Sequence, residues 1–167
     1  VTNIWGVNTY DQIYKWNGST WSNISGGLKQ ISAAYDGTVW GVNANDQIYR
    51  WTGSAWENIS GGLKQISVGS STNIWGVNAY DQIYKWNGST WDNISGGLKQ
   101  VSAGYDGTVW GVNANDQIYR WTGSGWENIA GGLMLISVAS SNQIWAVNVY
   151  NHIFTRDGSD WQNITYP

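Results

Sequence analysis

Tryptophans at positions 5, 40, 75, 110 and 145 stand 35 residues apart, and Trp21, Trp56, Trp91, Trp126 and Trp161 keep the same step. Trp16, Trp51, Trp86 and Trp121 follow it four times before Arg156 breaks the series. A fixed period of this length means a stack of supersecondary units, each too small to bury its own apolar face. Residues 1–70 and 71–140 are identical at 60 of 70 positions, as expected of a duplicated two-repeat unit. The repeats run at about 1–35, 36–70, 71–105, 106–140 and a partial 141–167, read as a single domain over 1–167.

Each period reads as four short strands, in the second copy residues 28–34, 38–43, 47–51 and 55–60. They are rich in β-branched and aromatic residues and bounded by the turn signals "YDG" or "SST", "NAND", "TGS" and "SGG". Side chains alternate, with Ile13 and Lys15 set against Gln12, Tyr14 and Trp16. No helical phasing is present, and the 22 glycines oppose helices. Four-stranded units at this period with an aromatic signature describe an all-β fold, a β-propeller of 35-residue blades. Five copies are visible, and one lacks a strand because the chain opens on a second strand. That incomplete unit is expected to be completed by further N-terminal sequence, by another chain, or not at all; its unpaired edge invites self-association.

Composition removes several functions. Only 11% of residues are charged and the net charge is −3, so no basic surface awaits a phosphate backbone and nucleic acid is not an expected partner. No apolar run approaches the ~18 residues of a transmembrane helix. The chain has no cysteine, which excludes disulfides and thiolate chemistry and leaves the compartment open between secreted and cytoplasmic. One histidine, His152, and carboxylates that recur identically form no nucleophile–base constellation, so no catalytic residue and no enzyme activity is expected. "YDGT" at Tyr35 and Tyr105 reads as a tight turn, since one carboxylate is too few for calcium; no metal or cofactor is expected. Sequons at Asn17, Asn23, Asn58, Asn87, Asn93 and Asn163 are multiplied by the repeat.

The runs "GGLKQISVGS" (61–70), "VWGVNANDQIYRW" (39–51) and "WENISGG" (56–62) resemble the tectonin-type repeat of tectonins and fish-egg lectins, over essentially the whole chain. The resemblance implies a propeller lectin that binds glycans or glycoconjugates on cell surfaces, including lipopolysaccharide or methylated sugars in some relatives. It also implies six blades in many relatives, about 210 residues at this period, so a six-bladed parent is one expectation. The disulfides of secreted animal relatives have no counterpart here.

Two rims are expected to differ. In an up-and-down blade the first and third turns share one rim, which gathers the tryptophans, while the other gathers Asn8, Asp11 and Gln12 with Ser25, Gly26, Gly27, Lys29 and Gln30. Sugars use both surfaces: indole faces stack on pyranose C–H groups, and amides and charges bond hydroxyls. Most propeller aromatics wedge between blades, and the Trp5 and Trp21 series recur in every copy as core positions would. Because Arg156 replaces one of its members, the series Trp16, Trp51, Trp86 and Trp121 is expected to be more exposed and to stack sugar. On the polar rim the candidates are Asn8, Asp11, Lys29, Asn43, Asp46, Lys64, Asn78, Asp81, Lys99, Asn113 and Asp116. Lys and Asp vanish together in the last copy, as Met134 and Asn151, so rim salt bridges stand level with a ligand role. A multivalent lectin is therefore weighed against a protein-interaction platform; near-identical copies suit a repeated glycan, divergent ones an asymmetric protein surface.

Overall fold

The computed structural model describes residues 3–165. It is a five-bladed β-propeller in which no described residue is helical. Blade 1 has three strands, β1 (Trp5–Val7), β2 (Ile13–Trp16) and β3 (Trp21–Ile24). The others have four each. Blade 2 holds β4 (Gln30–Ala33), β5 (Val39–Val42), β6 (Gln47–Trp51) and β7 (Trp56–Gly62). Blade 3 holds β8 (Gln65–Ser70), β9 (Asn73–Val77), β10 (Ile83–Trp86) and β11 (Trp91–Ile94). Blade 4 holds β12 (Gln100–Ala103), β13 (Val109–Val112), β14 (Gln117–Trp121) and β15 (Trp126–Gly132). Blade 5 is complete, with β16 (Leu135–Ser140), β17 (Gln143–Val147), β18 (Ile153–Asp157) and β19 (Asp160–Asn163).

All pairings within a blade are antiparallel between neighbours in sequence, as hairpin turns of this length require. The expected strands are met with shifted ends. The first strand of each unit starts two residues late in blade 2, because Leu28 leaves the ladder to pack beneath Gly41, where an added Cβ would lie 2.5 Å from Leu28 Cδ1. The fourth strand runs on to Gly62 across a register shift between Gln47 and Ile48.

Blades pack in chain order, 1 on 2 through 4 on 5, around the inner strands β4, β8, β12 and β16. Trp40, Trp75 and Trp110 are each at most 2% exposed and fill the junctions, with Ile48, Ile66, Ile83, Ile118 and Ile136 behind them. Burying such a ring removes about 150–250 Å² from water, about 4–6 kcal/mol of apolar transfer each. Inner strands are sheet edges, and side chains of the preceding blade cap them. Gln65 Nε2 donates to Val101 O (3.0 Å), Gln65 Oε1 accepts from Val101 N (3.1 Å), and Ser67 Oγ accepts from Ala103 N (2.9 Å). Gln30 and Gln100 make the same two bonds to Ile66 and Ile136. Gln30 thus serves the central axis rather than the polar rim where its sequence position suggested it. In blade 5 the glutamine position is Leu135, half exposed with Trp145.

Candidate functional site

Each blade junction offers two concave surfaces, one on each rim. On the aromatic rim, the tryptophan of a blade's second strand (β1 in the three-stranded blade 1) meets two rings of the next blade. Trp75 lies 5.3 Å from Trp121 and 5.8 Å from Trp126, and the same edge-to-face trio recurs as Trp5–Trp51–Trp56 and Trp40–Trp86–Trp91. The fourth trio is Trp110, Trp161 and Arg156, whose guanidinium lies 5.0 Å from the Trp110 ring centre and 5.2 Å from that of Trp161.

The exposure expected of the Trp16 series is met only in part: Trp51, Trp86 and Trp121 are more exposed than Trp40, Trp75 and Trp110, but Trp21 is more exposed than Trp16. Trp86 is buried, Trp16, Trp51 and Trp121 are half-buried, and Trp21 and Trp145 of the supposed core series are half exposed. Arg156 is tolerated because a flat guanidinium can replace an indole between two rings, not because the position faces water. Trp51 and Trp86 do line a groove of about 690 Å³ at the blade 1–2–3 rim, and Trp121 lines its counterpart of about 730 Å³ between blades 3 and 4.

Two kinds of clasp alternate along that rim. At junctions 1–2 and 3–4, Asn3 and Asn73 accept the indole N–H of Trp5 and Trp75 (both 2.8 Å) and donate to Ala34 O and Gly104 O (both 2.7 Å). At junctions 2–3 and 4–5, Asp36 and Asp106 instead accept the backbone N–H of Ser71 and Ser141 (2.7 Å), leaving Trp40 and Trp110 Nε1 buried without a partner among the described residues. Partial desolvation pushes the Asp106 carboxyl up. The amides of Ser141 and Thr108, with their hydroxyls, outweigh it and hold the group down at about 2. Asp36 is lowered by the same arrangement.

On the opposite rim, a small pocket lies between blades. Ile48, Gly61, Gly62 and Leu63 face Asn78, Tyr84 and Trp91 across about 240 Å³ at junction 2–3. Ile83, Gly96, Gly97 and Leu98 face Asn113, Tyr119 and Trp126 across about 290 Å³ at junction 3–4. The two linings match residue for residue, and the sequence supplies the same set at junction 1–2. At junction 4–5, Phe154 replaces the tyrosine. An open half-pocket on blade 1 is lined by Gly6, Val7, Asn8, Tyr14 and Trp21.

Local backbone builds each pocket. Gly96 has φ +127°, and a Cβ there would lie 3.1 Å from Trp126 Cδ1, so only glycine leaves the space open. Trp56, Trp91, Trp126 and Trp161 all hold Nε1 buried at this wall without a partner among the described residues. Asn78 is fixed by its own turn, Oδ1 accepting from Tyr80 N and Gln82 N (3.0 Å each) and Nδ2 donating to Gln82 Oε1 (2.8 Å). Asn8, Asn43 and Asn113 are held alike.

The remaining polar-rim candidates divide. Lys29–Asp46, Lys64–Asp81 and Lys99–Asp116 form ion pairs within their own blades, each about one-third exposed. Asp11 has no ion pair among the described residues. All four aspartates, and Asn151 after them, sit at φ 60–62°. That left-handed conformation favours Asp, Asn and Gly. The last copy therefore loses the charge pair by the one exchange, Asp to Asn, that the backbone accepts readily. A repeated Asp or Asn after an exposed turn residue was the available signal.

Five antiparallel blades with repeated pockets between them define a β-propeller. The tectonin domain family matches residues 1–166, and the chain belongs to that family. It is 50% identical to Tectonin-2 of Physarum polycephalum over 36 residues, 22% of this chain and 10% of that protein. Among solved structures it resembles YCF48 bound to D1 peptide (TM-score 0.67, 19% identity, 96% of this chain and 63% of that one). It also resembles yeast RCC1 (Prp20) bound by Kap60 (TM-score 0.70, 10% identity, 89% and 52%). At these identities the likeness concerns the fold. The chain spans about a tenth of the curated relative and less than two-thirds of either structure.

Proposed function

We propose that the chain is a multivalent lectin that binds glycans in the pockets between blades on the polar rim, without breaking a bond. The observation that carries the reading is the repetition of one lining, Ile-Gly-Gly-Leu against Asn-Tyr-Trp, at successive junctions. A pocket of about 240–290 Å³ is smaller than the roughly 300–1,000 Å³ that encloses a drug-sized ligand. It suits a single sugar ring or an apolar substituent such as an O-methyl group. Indole and tyrosine offer apolar faces, while the asparagine and tyrosine bring polar atoms for hydroxyl or ether oxygens. Weak sites repeated on one rigid face gain avidity of about 10²–10⁴ on a glycan-coated surface. Lipopolysaccharide and methylated sugars are the first ligands to test, since the family resemblance implies them.

A glycan array developed with the labelled protein, and competed with free sugar, tests the reading. Signal on defined glycans that free sugar removes supports it. A blank array together with specific capture of a protein would return the chain to the interaction-platform reading.

A further inference from the structure

The second and third strands of each blade are joined by a turn whose third residue alternates along the chain: Tyr10, Asn45, Tyr80, Asn115, Tyr150. The three tyrosines are among the most exposed large side chains in the molecule, at 82%, 84% and 76%. Exposure of an isolated apolar residue is ordinary. Here, however, the same turn is built with asparagine in the alternate blades.

The turn itself has no need of a ring. Tyr80 N donates to Asn78 Oδ1 at 3.0 Å, and Asn45 N and Asn115 N make the same bond to Asn43 and Asn113 at the same distance. Among the described residues, no hydrogen bond uses the hydroxyl of Tyr10, Tyr80 or Tyr150. The Tyr80 backbone is bonded directly to the asparagine that lines the interblade pocket, two residues before it in the chain, and its ring is exposed.

A second difference tracks the first. In the tyrosine blades the hydroxyl of the pocket tyrosine is engaged: Tyr14 donates to Gln12 Oε1 at 3.3 Å and Tyr84 to Gln82 Oε1 at 3.4 Å. Among the described residues, no such bond forms for Tyr49 or Tyr119 in the asparagine blades. Blade 5, the most divergent copy, fits the division. It replaces the pocket tyrosine by Phe154, discarding a hydroxyl that blades 1 and 3 tie up, and still keeps Tyr150 exposed. The His152 ring lies 6.1 Å from that of Tyr150.

We infer that the polar rim carries two alternating classes of glycan site. The class flanked by Tyr80 and Tyr150 has an outer subsite where the tyrosine face stacks on a second pyranose, so it selects a disaccharide or longer glycan. The class flanked by Asn45 and Asn115 recognises one residue, with the free Tyr49 or Tyr119 hydroxyl as an additional hydrogen-bonding group. The open half-site beside Tyr10 belongs to the first class. This inference rests on the lectin reading of the pockets.

The test compares the wild-type chain with two double variants, Tyr80→Asn/Tyr150→Asn and Asn45→Tyr/Asn115→Tyr. The readout is calorimetry with the strongest monosaccharide on the array and with its disaccharide. All four positions lie on exposed turns that accept both residues, so folding is checked simply by melting. The ratio of disaccharide to monosaccharide affinity is expected to fall about three- to tenfold in the first variant and to rise in the second, the scale of one aromatic stacking contact. A ratio unmoved by either exchange, in a protein that binds sugar, overturns the outer subsite and leaves the lectin reading standing. No sugar binding by the wild-type chain removes both.

Discussion

Replacing Gln65 by leucine tests how the blades are held at the axis. The glutamine amide satisfies both the N–H and the C=O of Val101, which is fully buried on the free edge of β12. Leucine ends one atom shorter, costs less to desolvate and can make neither bond. Two buried backbone groups then lose their partners, at about 1–3 kcal/mol each, partly offset by the apolar side chain. The net loss is about 2–4 kcal/mol. For a chain of this size about 2–4 °C in Tm accompanies each kcal/mol, so the midpoint drops by roughly 4–16 °C. Gln65→Glu keeps an acceptor for Val101 N but turns a carboxylate oxygen toward Val101 O, so at pH 7 its loss is expected to be at least as large. Urea denaturation followed by tryptophan fluorescence gives both values. A leucine variant within about 0.5 kcal/mol of wild type would refute the reasoning, meaning that water or strand relaxation serves the inner edges. Blade 5 already has leucine at this position, and Leu135 is half exposed rather than set against a following inner strand.

Other consequences follow from the alternating clasps. Because the Asp106 carboxyl sits at about 2 in the folded chain, below its unfolded value of about 3.9, its stabilisation is full above about pH 4. That contribution disappears as pH falls through about 2. Asp106→Asn should lower stability at pH 7 and flatten the acid limb of a Tm-against-pH curve; an unchanged acid limb would show that the Ser141 contact contributes nothing. Thr108→Asn places at junction 4–5 the residue that satisfies Trp75 in the preceding blade, and should give Trp110 Nε1 its missing partner. A gain of about 1 kcal/mol is expected in denaturation, and a loss would mean that the two clasps exclude one another.

Strand identity and blade architecture were legible because period and turn chemistry act locally: "YDG", "NAND" and "SGG" each close a turn wherever they occur. Lys–Asp pairing was legible from joint loss in one copy. Exposure was legible only in part. Whether Trp86 or Trp21 faces water depends on the neighbouring blade, which pattern along one strand cannot report. Arg156 misled for the same reason, since its partners Trp110 and Trp161 come from two blades. The interblade pockets were hidden in the turns that line them. Asn78, Tyr84 and Gly61 look like ordinary strand and turn residues until two blades set them face to face.

The central claim is that sugar enters the pockets on the polar rim rather than the tryptophan grooves opposite. The indole N–H resonances of a ¹⁵N-labelled chain report on both. Trp91 and Trp126 stand at the pocket walls with unpartnered Nε1, whereas Trp5 and Trp75 line the opposite grooves with Nε1 bonded to Asn3 and Asn73. Titration with the array's strongest free sugar is predicted to shift the Trp91 and Trp126 signals and leave Trp5 and Trp75 in place. Shifts confined to Trp5 and Trp75 would contradict the account and move the binding site to the aromatic rim.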